Sequence, residues 1–339
     1  MLIKKLTDIN GLPSYEEDVR AAIKEEIKDY VDSMYTDRLG NLIAVKNEKS
    51  SGAHIGLSAH MDEAGMVVTS IEKSGMIKFD TWGVLPKVML SKTVKIGKNQ
   101  VPGVIGAKPI HLQRPEERET VLDLDRIYID IGAISKEDAE KYVEIGDYIA
   151  FDSEYREMGK HKIKAKALDD RLGCAVIIEM LKSDIPHKLT AVFCTQEEVG
   201  LRGSAVAANQ IFTDLIINLE GTVCADSGDI DEHLRVTTQG EGPALSIRDT
   251  TSIYLKKYYQ QMIDCSKENN IPLQFRRSGA GGTDSLNYHT AHGGTPVIGL
   301  AVPCRYIHTP VSMCDKRDYE ALLALVKAFI LKYNKEAVK

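Results

Sequence analysis

Five short motifs place a histidine or a carboxylate at or near an end of an apolar run. His60-Met61-Asp62 closes the run 54–60, and Glu220 closes the run 215–219. Glu197 and Glu198, in Thr195-Gln196-Glu197-Glu198-Val199-Gly200, follow the run 189–194. Asp169 stands in Ala167-Leu168-Asp169-Asp170-Arg171-Leu172-Gly173, at the entrance to an apolar helix. His308, in Pro303-Cys304-Arg305-Tyr306-Ile307-His308, follows the run 297–302. In an extended chain residues two apart project to one side, so His60 can ligate a metal while Asp62 accepts its second ring N–H. The two oxygens of Asp169 suit it to bridge two cations. Neighbouring side chains on a turn diverge, which lets one of the two glutamates bind a metal while the other works on a water.

Taken one at a time, the motifs also have plain structural readings. His60 fits a structural histidine equally well, and Asp169-Asp170 fits a helix cap with an ion pair to Arg171. His308 alone is a weak signal. Together they offer two imidazoles and three carboxylates, a donor mixture suited to zinc, cobalt or manganese. None of the six cysteines forms a C-x-x-C pair, which argues against a structural zinc finger.

The elements that must position these groups are legible as patterns. Ser14 with Glu17 three residues on predicts a capping box, opening an amphipathic helix through Val19, Ile23 and Ile27. A strand-turn-strand is expected around Gly40-Asn41, and a buried strand over 54–60. Between 65 and 160 the runs 66–71, 101–105, 127–131 and 148–151 alternate with Gly and Pro, as in a small barrel-like β module. Beyond it, helix is expected near 173–181, 204–210 and 253–268, strand over 189–195, 215–219, 273–276 and 297–302, and a last helix from Asp315. Such alternation implies an α/β layered sheet. The glycine-rich 278–282 reads as a loop without the lysine of a phosphate-binding pattern. The expected architecture is an α/β domain of residues 1–64 and 161–339, interrupted by a β domain of residues 65–160.

Composition bounds the function. The chain has 339 residues and a net charge of −6, which argues against nucleic acid or an anionic membrane as partner. No apolar run approaches the ~20 residues that span a bilayer. The beginning of the sequence lacks a signal-peptide pattern and the cysteines are scattered, so a cytoplasmic location is expected.

Read in order, HMDE at His60, ALDDRLG at Asp169, TQEEVGLRG at Glu197, GGTD at Gly281 and RYIHTP at His308 resemble the tetrahedral-aminopeptidase family of dinuclear metallopeptidases. That group includes glutamyl and deblocking aminopeptidases, some labelled cellulase. The resemblance implies a mixed-sheet α/β metallopeptidase domain with an inserted dimerisation domain, and dimers that build a tetrahedral dodecamer acting on short peptides. It implies two divalent ions, one on His60, Asp169 and Glu220, the other on Asp169, Glu198 and His308. Asp62 would orient His60, and Glu197 would be the general base.

Two departures stand out. The family's usual residue at 220 is Asp, whereas this chain has Glu220-Gly221-Thr222, and Glu is common among carboxypeptidases and dipeptidases. The segment 224–229 also lacks the family's usual proline. The resemblance implies an aminopeptidase; a carboxypeptidase or N-acyl deacylase is the alternative that Glu220 motivates. Adjacent glutamates and few aromatics fit a glycoside hydrolase poorly. An inactive scaffold would have lost Glu197 or several ligands, and neither is lost.

Overall fold

Apolar runs buried on both faces form the middle of a large mixed sheet, as parallel strands require. The computed structural model describes residues 1–228, 230–277 and 281–334. The chain opens with helices α1 (Leu2–Thr7) and α2 (Glu17–Ile27), then strands β1 (Ser33–Thr36), β2 (Leu42–Lys46) and β3 (His54–His60). Next come β4 (Gly65–Ile71), β5 (Ile77–Trp82), β6 (Thr93–Ile96) and β7 (Val101–Ala107). Helix α3 (Pro115–Glu119), β8 (Ile127–Asp130), α4 (Lys136–Ala139) and β9 (Tyr148–Phe151) follow. Then come β10 (Arg156–Met158), β11 (Lys162–Ala165), α5 (Leu168–Lys182), β12 (Lys188–Cys194), α6 (Arg202–Ala207) and β13 (Leu215–Val223). The last part holds β14 (Ala244–Ser246), α7 (Lys256–Glu268), β15 (Gln274–Arg276), α8 (Ser285–Thr290), β16 (Val297–Arg305), β17 (Ser312–Asp315) and α9 (Lys316–Lys332).

The large sheet has the order β1-β2-β12-β3-β13-β16-β17-β11-β10, with β14 and β15 attached beside β16. Its central strands β12, β3, β13 and β16 are mutually parallel. Side chains alternate between its faces. Leu57, Ala59, Ala191, Phe193, Ile217 and Leu219 pack with α1, α2, α5, α7 and α9 in the main core. Val192, Cys194 and Ile216 face the other way, toward Ala207 of α6 and Tyr288 of α8. Each fully buried Leu, Ile or Phe contributes about 1.5–3 kcal/mol. By the same alternation His60, Asn218 and Glu220 share the parity of the face covered by the short helices, where a cavity can open.

Strands β4-β5-β8-β7-β6-β9 close into a barrel around Met66, Val68, Ile77, Phe79, Ile105, Ile129 and Ile149. The fold is thus the expected α/β sheet with a small inserted β-barrel. The chain leaves the barrel after Phe151, the last residue of β9, and β10 already pairs with β11 in the large sheet.

Three local expectations are corrected. The capping box does not form: Ser14 has φ of 72° and its N–H donates to Glu16 Oε1 at 3.0 Å, so α2 begins without a side-chain cap. Helix α7 begins at Lys256 rather than 253, because Ile253 bridges back to Arg248. Glu220 does not end its strand: β13 runs on to Val223, paired with β16. The last helix starts as expected, with the Asp315 carboxylate accepting from Arg317 N–H. Of the glycine-rich 278–282, residues 278–280 lie outside the described residues, as does 229 of the segment after Glu220.

The wholly buried Arg171 ties the start of the chain to the sheet. Its guanidinium donates to the carbonyls of Met61 (2.7 Å), Leu6 (2.5 Å), Ile9 (3.1 Å) and Gly11 (3.3 Å). Beside it Lys166 Nζ donates to Glu63 Oε1 at 2.6 Å. All six cysteines are buried and unpaired. Among the described residues no helix is long and apolar enough to cross a membrane.

Candidate active site

His60 ends β3 beside Cys194 of the parallel β12, at the carboxyl edge where open α/β sheets gather ligands. Its Nδ1 lies 3.1 Å from the Asp62 main-chain oxygen and 3.5 Å from the Asp62 carboxylate. A carbonyl only accepts, so Nδ1 carries a hydrogen and Nε2 is the nitrogen turned to the site. Nε2 then faces Asp169 Oδ1 at 3.5 Å, Glu220 Oε2 at 3.7 Å and Glu197 Oε2 at 4.0 Å.

The Asp62 carboxylate, 3.5 Å from His60 Nδ1, also holds the turn that follows β12. Oδ1 accepts from Glu197 N–H and Oδ2 from Glu198 N–H, each at 3.0 Å. The same turn is held from other sides: Glu16 Oε1 accepts from Gln196 N–H at 3.1 Å, and Asn41 Oδ1 from Thr195 N–H at 3.0 Å. The bend is tight enough that a Cβ on Gly203 would fall 2.2 Å from the Thr195 oxygen. Its two glutamates diverge, Glu197 toward His60 and Glu198 toward His308, with Glu198 Oε2 3.7 Å from His308 Nε2.

Asp169 and Asp170 adjoin across a cis peptide bond and separate in role. Asp169 Oδ1 accepts from Gly221 N–H at 3.1 Å and faces the site, while Asp170 turns inward to accept from Gly173 N–H at 2.9 Å and His60 N–H at 3.3 Å. Glu220 is steadied by Asn218, two residues earlier on its strand face, whose Nδ2 donates to Oε1 at 2.9 Å. That leaves Oε2 directed at His60. His308 stands in the loop after β16, and its Nδ1 lies 2.9 Å from the main-chain oxygen of Gly83, which follows β5 of the barrel.

His60, Asp169, Glu197, Glu198, Glu220 and His308 all line one cavity of about 540 Å³, walled also by Leu201, Val223, Arg276 and Ile307. The ligand atoms of His60, Asp169 and Glu220 lie within 4.8 Å of one another. Sequence reasoning did not single out Asn218, Glu16 or Gly83; only Asn218 left a trace, its i, i+2 spacing to Glu220.

Description and comparison agree. The family model for M42 glutamyl aminopeptidase matches residues 40–325. The chain belongs to the M42 family. It is 30% identical over 338 residues to the lysyl aminopeptidase of Pyrococcus furiosus, covering 97% of this chain and 96% of that protein. Among solved structures it is similar to the TET aminopeptidase from a marine sediment Thaumarchaeota archaeon, with TM-score 0.95, 31% identity and coverage of 99% and 97% of the two chains. The Pyrococcus horikoshii TET1 peptidase, which can assemble into a tetrahedron or a large octahedral shell, follows at TM-score 0.87, 30% identity and 98% coverage of each. The protein is therefore a peptidase hydrolase of a family whose members depend on metal.

The electrostatics of this M42 site ask for cations. Burial, with Asp170 nearby, pushes the Glu220 carboxyl well above its ordinary range, and burial with Glu220, Asp284 and Glu198 does the same to Glu197. Burial raises Glu198 to about 7 against the pull of His308. Burial alone would lower His60, but the Glu197, Asp169 and Asp62 carboxylates outweigh it and raise the imidazole well above its usual value. Asp169 resists its own burial through His60 and stays low. The buried carboxylates outnumber the imidazoles, an excess of negative charge that bound divalent ions would neutralise. The nitrogen and oxygen donors present fit such ions.

Proposed function

We propose that the protein is an aminopeptidase that removes N-terminal residues from short peptides with the help of two divalent metal ions. One observation carries the reading: two imidazoles and three carboxylates from five separate segments face one cavity, with Glu197 beside them. His60, Asp169 and Glu220 would hold one ion, and Asp169, Glu198 and His308 the other, zinc or cobalt before manganese. Bound there, the ions would supply a hydroxide near neutral pH and polarise the scissile carbonyl.

The chain's own residues do the rest. Glu197 takes a proton from the attacking water and passes it to the leaving amine, the task of a carboxylate placed beside the reacting water. Its main chain is pinned by Asp62, so the carboxylate swings from a fixed base. Asn218 and the Asp62 carbonyl hold Glu220 and His60 facing each other. Leu201, Val223 and Ile307 give the cavity an apolar wall against which a substrate side chain can shed water.

The barrel is read as the module through which subunits pair, with dimers building a tetrahedral dodecamer as in the TET relatives; the catalytic domain is residues 1–64 with everything from β10 onward. Six buried, unpaired thiols suit a cytoplasmic enzyme. A carboxypeptidase or N-acyl deacylase is the second reading, favoured by Glu220 alone. Metal-stripped protein, tested on free and N-blocked aminoacyl substrates with zinc, cobalt or manganese restored, separates the two. Metal-dependent cleavage that needs a free amino terminus supports the aminopeptidase. Cleavage of blocked or carboxy-terminal substrates only would replace it with the second reading.

A further inference from the structure

The imidazole of His308 is held by a different part of the chain from the one that carries it. The His308 side chain is 41% exposed, on the loop after β16 where Tyr306 and His308 both have left-handed backbones, with φ of 62° and 58°. Packing does not fix a ring in such a place. The polar partner of its Nδ1 is the carbonyl of Gly83, at 2.9 Å, in the first residue after β5. That position is firm, because Trp82 pairs with Gly65 across the barrel sheet and Thr81 Oγ1 donates to the Gly65 carbonyl at 2.9 Å.

Two consequences follow from elementary chemistry. A carbonyl accepts and cannot donate, so the ring hydrogen sits on Nδ1 and the Nε2 lone pair is free. Nε2 is the atom that faces Glu198 Oε2 at 3.7 Å. Space is the second. A Cβ built on Gly83 would lie 2.9 Å from His308 Nδ1, 3.0 Å from Ala64 Cβ and 3.1 Å from Glu198 Oε2. A methyl group there would press on both side chains read above as ligands of the second ion.

We infer that Gly83 of the barrel is a positioning residue for the active site, its carbonyl setting the His308 tautomer and its bare Cα leaving room for His308 and Glu198. The inference rests on the reading of His308 as a metal ligand. It makes the barrel part of the catalytic site although the barrel supplies no ligand. The plain alternative is that Gly83 is glycine only because its φ is +70°. Gly132 of the same module separates the two: its φ is +79°, and nothing lies within 4 Å of its missing Cβ.

The experiment compares Gly83→Ala, Gly132→Ala and His308→Ala with the unsubstituted protein by cobalt titration, read as the visible absorption of the bound ion. Both glycine variants should lower the melting temperature through their positive φ, Gly83→Ala at least as much as Gly132→Ala. Only Gly83→Ala should weaken one of two bound ions, by about 10–100-fold, the usual effect of losing a group that orients a ligand. Equal cobalt affinity in the two glycine variants, with one ion lost in His308→Ala, would overturn this inference and leave the metal site standing. No ion lost in His308→Ala would remove the ligand reading and this inference with it. Should Gly83→Ala not fold, long-range ¹⁵N–¹H spectra of the metal-free, unsubstituted protein still decide: an Nδ1–H form of His308 is expected, and an Nε2–H form overturns the proposal.

Discussion

Asp62 grips the turn that carries the two glutamates, with one carboxylate oxygen on the N–H of Glu197 and the other on that of Glu198, both at 3.0 Å. A buried carboxylate spent in this way fixes a backbone, and through it the direction in which two side chains leave. Asp62→Asn replaces one of the acceptors by an NH₂ group that faces an N–H. We expect kcat to fall about 10–100-fold, with a loss of stability of about 1–3 kcal/mol from the unpaired buried donor. Steady-state kinetics and urea unfolding of the variant check both; unchanged kcat would remove Asp62 from the positioning of Glu197.

Glu197→Gln keeps the shape of the side chain and removes its ability to take a proton. Activity should drop by about 10²–10⁴-fold. Metal content, measured by elemental analysis after dialysis, should stay as in the parent. A variant that turns over at the parental rate would exclude Glu197 as the base.

Glu63 and Lys166 meet inside the protein, each with about a twentieth of its side chain exposed, and Glu63 also accepts from Gly11 N–H at 3.1 Å. Glu63→Gln leaves the Lys166 ammonium buried beside Arg171 without its counter-charge. Breaking such a pair costs about 3–5 kcal/mol. Chemical denaturation at pH 7 should show that loss, and a difference below 1 kcal/mol would mean that water reaches the pair.

His54 opens β3 with its Nε2 2.7 Å from Thr190 Oγ1, and burial lowers its pKa from 6.5 to about 4. The unfolded ring takes up a proton near pH 6.5, whereas the folded ring stays neutral until about pH 4. Its contribution to stability is therefore complete above pH 6.5 and is lost progressively as the pH falls toward 4. His54→Gln should flatten the fall in stability over that interval. Unfolding curves collected between pH 7 and pH 4 that run parallel for variant and parent would count against the shift.

The parts of this site that could be read in advance are those whose strands are buried on both faces. Strands β3, β12 and β16 show as largely apolar runs, and the polar residue at or just beyond the end of each marks a site edge. Glu220 misled because its carboxylate lies within a strand, a position made tolerable by Asn218 on the same face and by the charge that the site expects. In the barrel, β5 and β6 were not anticipated. Ile77–Trp82 mixes lysine, aspartate and threonine with its apolar residues, and Thr93–Ile96 is only four residues long. Ser14 looked like a cap and instead turns left-handed, because Glu16 is drawn inward to the Gln196 N–H. The pairing of Gly83 with His308 joins residues 225 apart, a distance over which no local pattern speaks.

The six buried thiols give the molecule built-in reporters of its own breathing. Cys174 donates to the His60 carbonyl at 3.1 Å, under the floor of the site, and Cys304 of β16 faces Cys314 of β17 across paired strands. A thiol so placed cannot reach a reagent until the element above it lifts, so its labelling rate, set against that of an exposed thiol, measures that opening. Cys174 would time the separation of α5 from β3, and Cys304 that of β16 from β17. The enzyme thus carries, in thiols that take no part in its chemistry, the means to show whether its catalytic floor and the β16–β17 pair open together or apart.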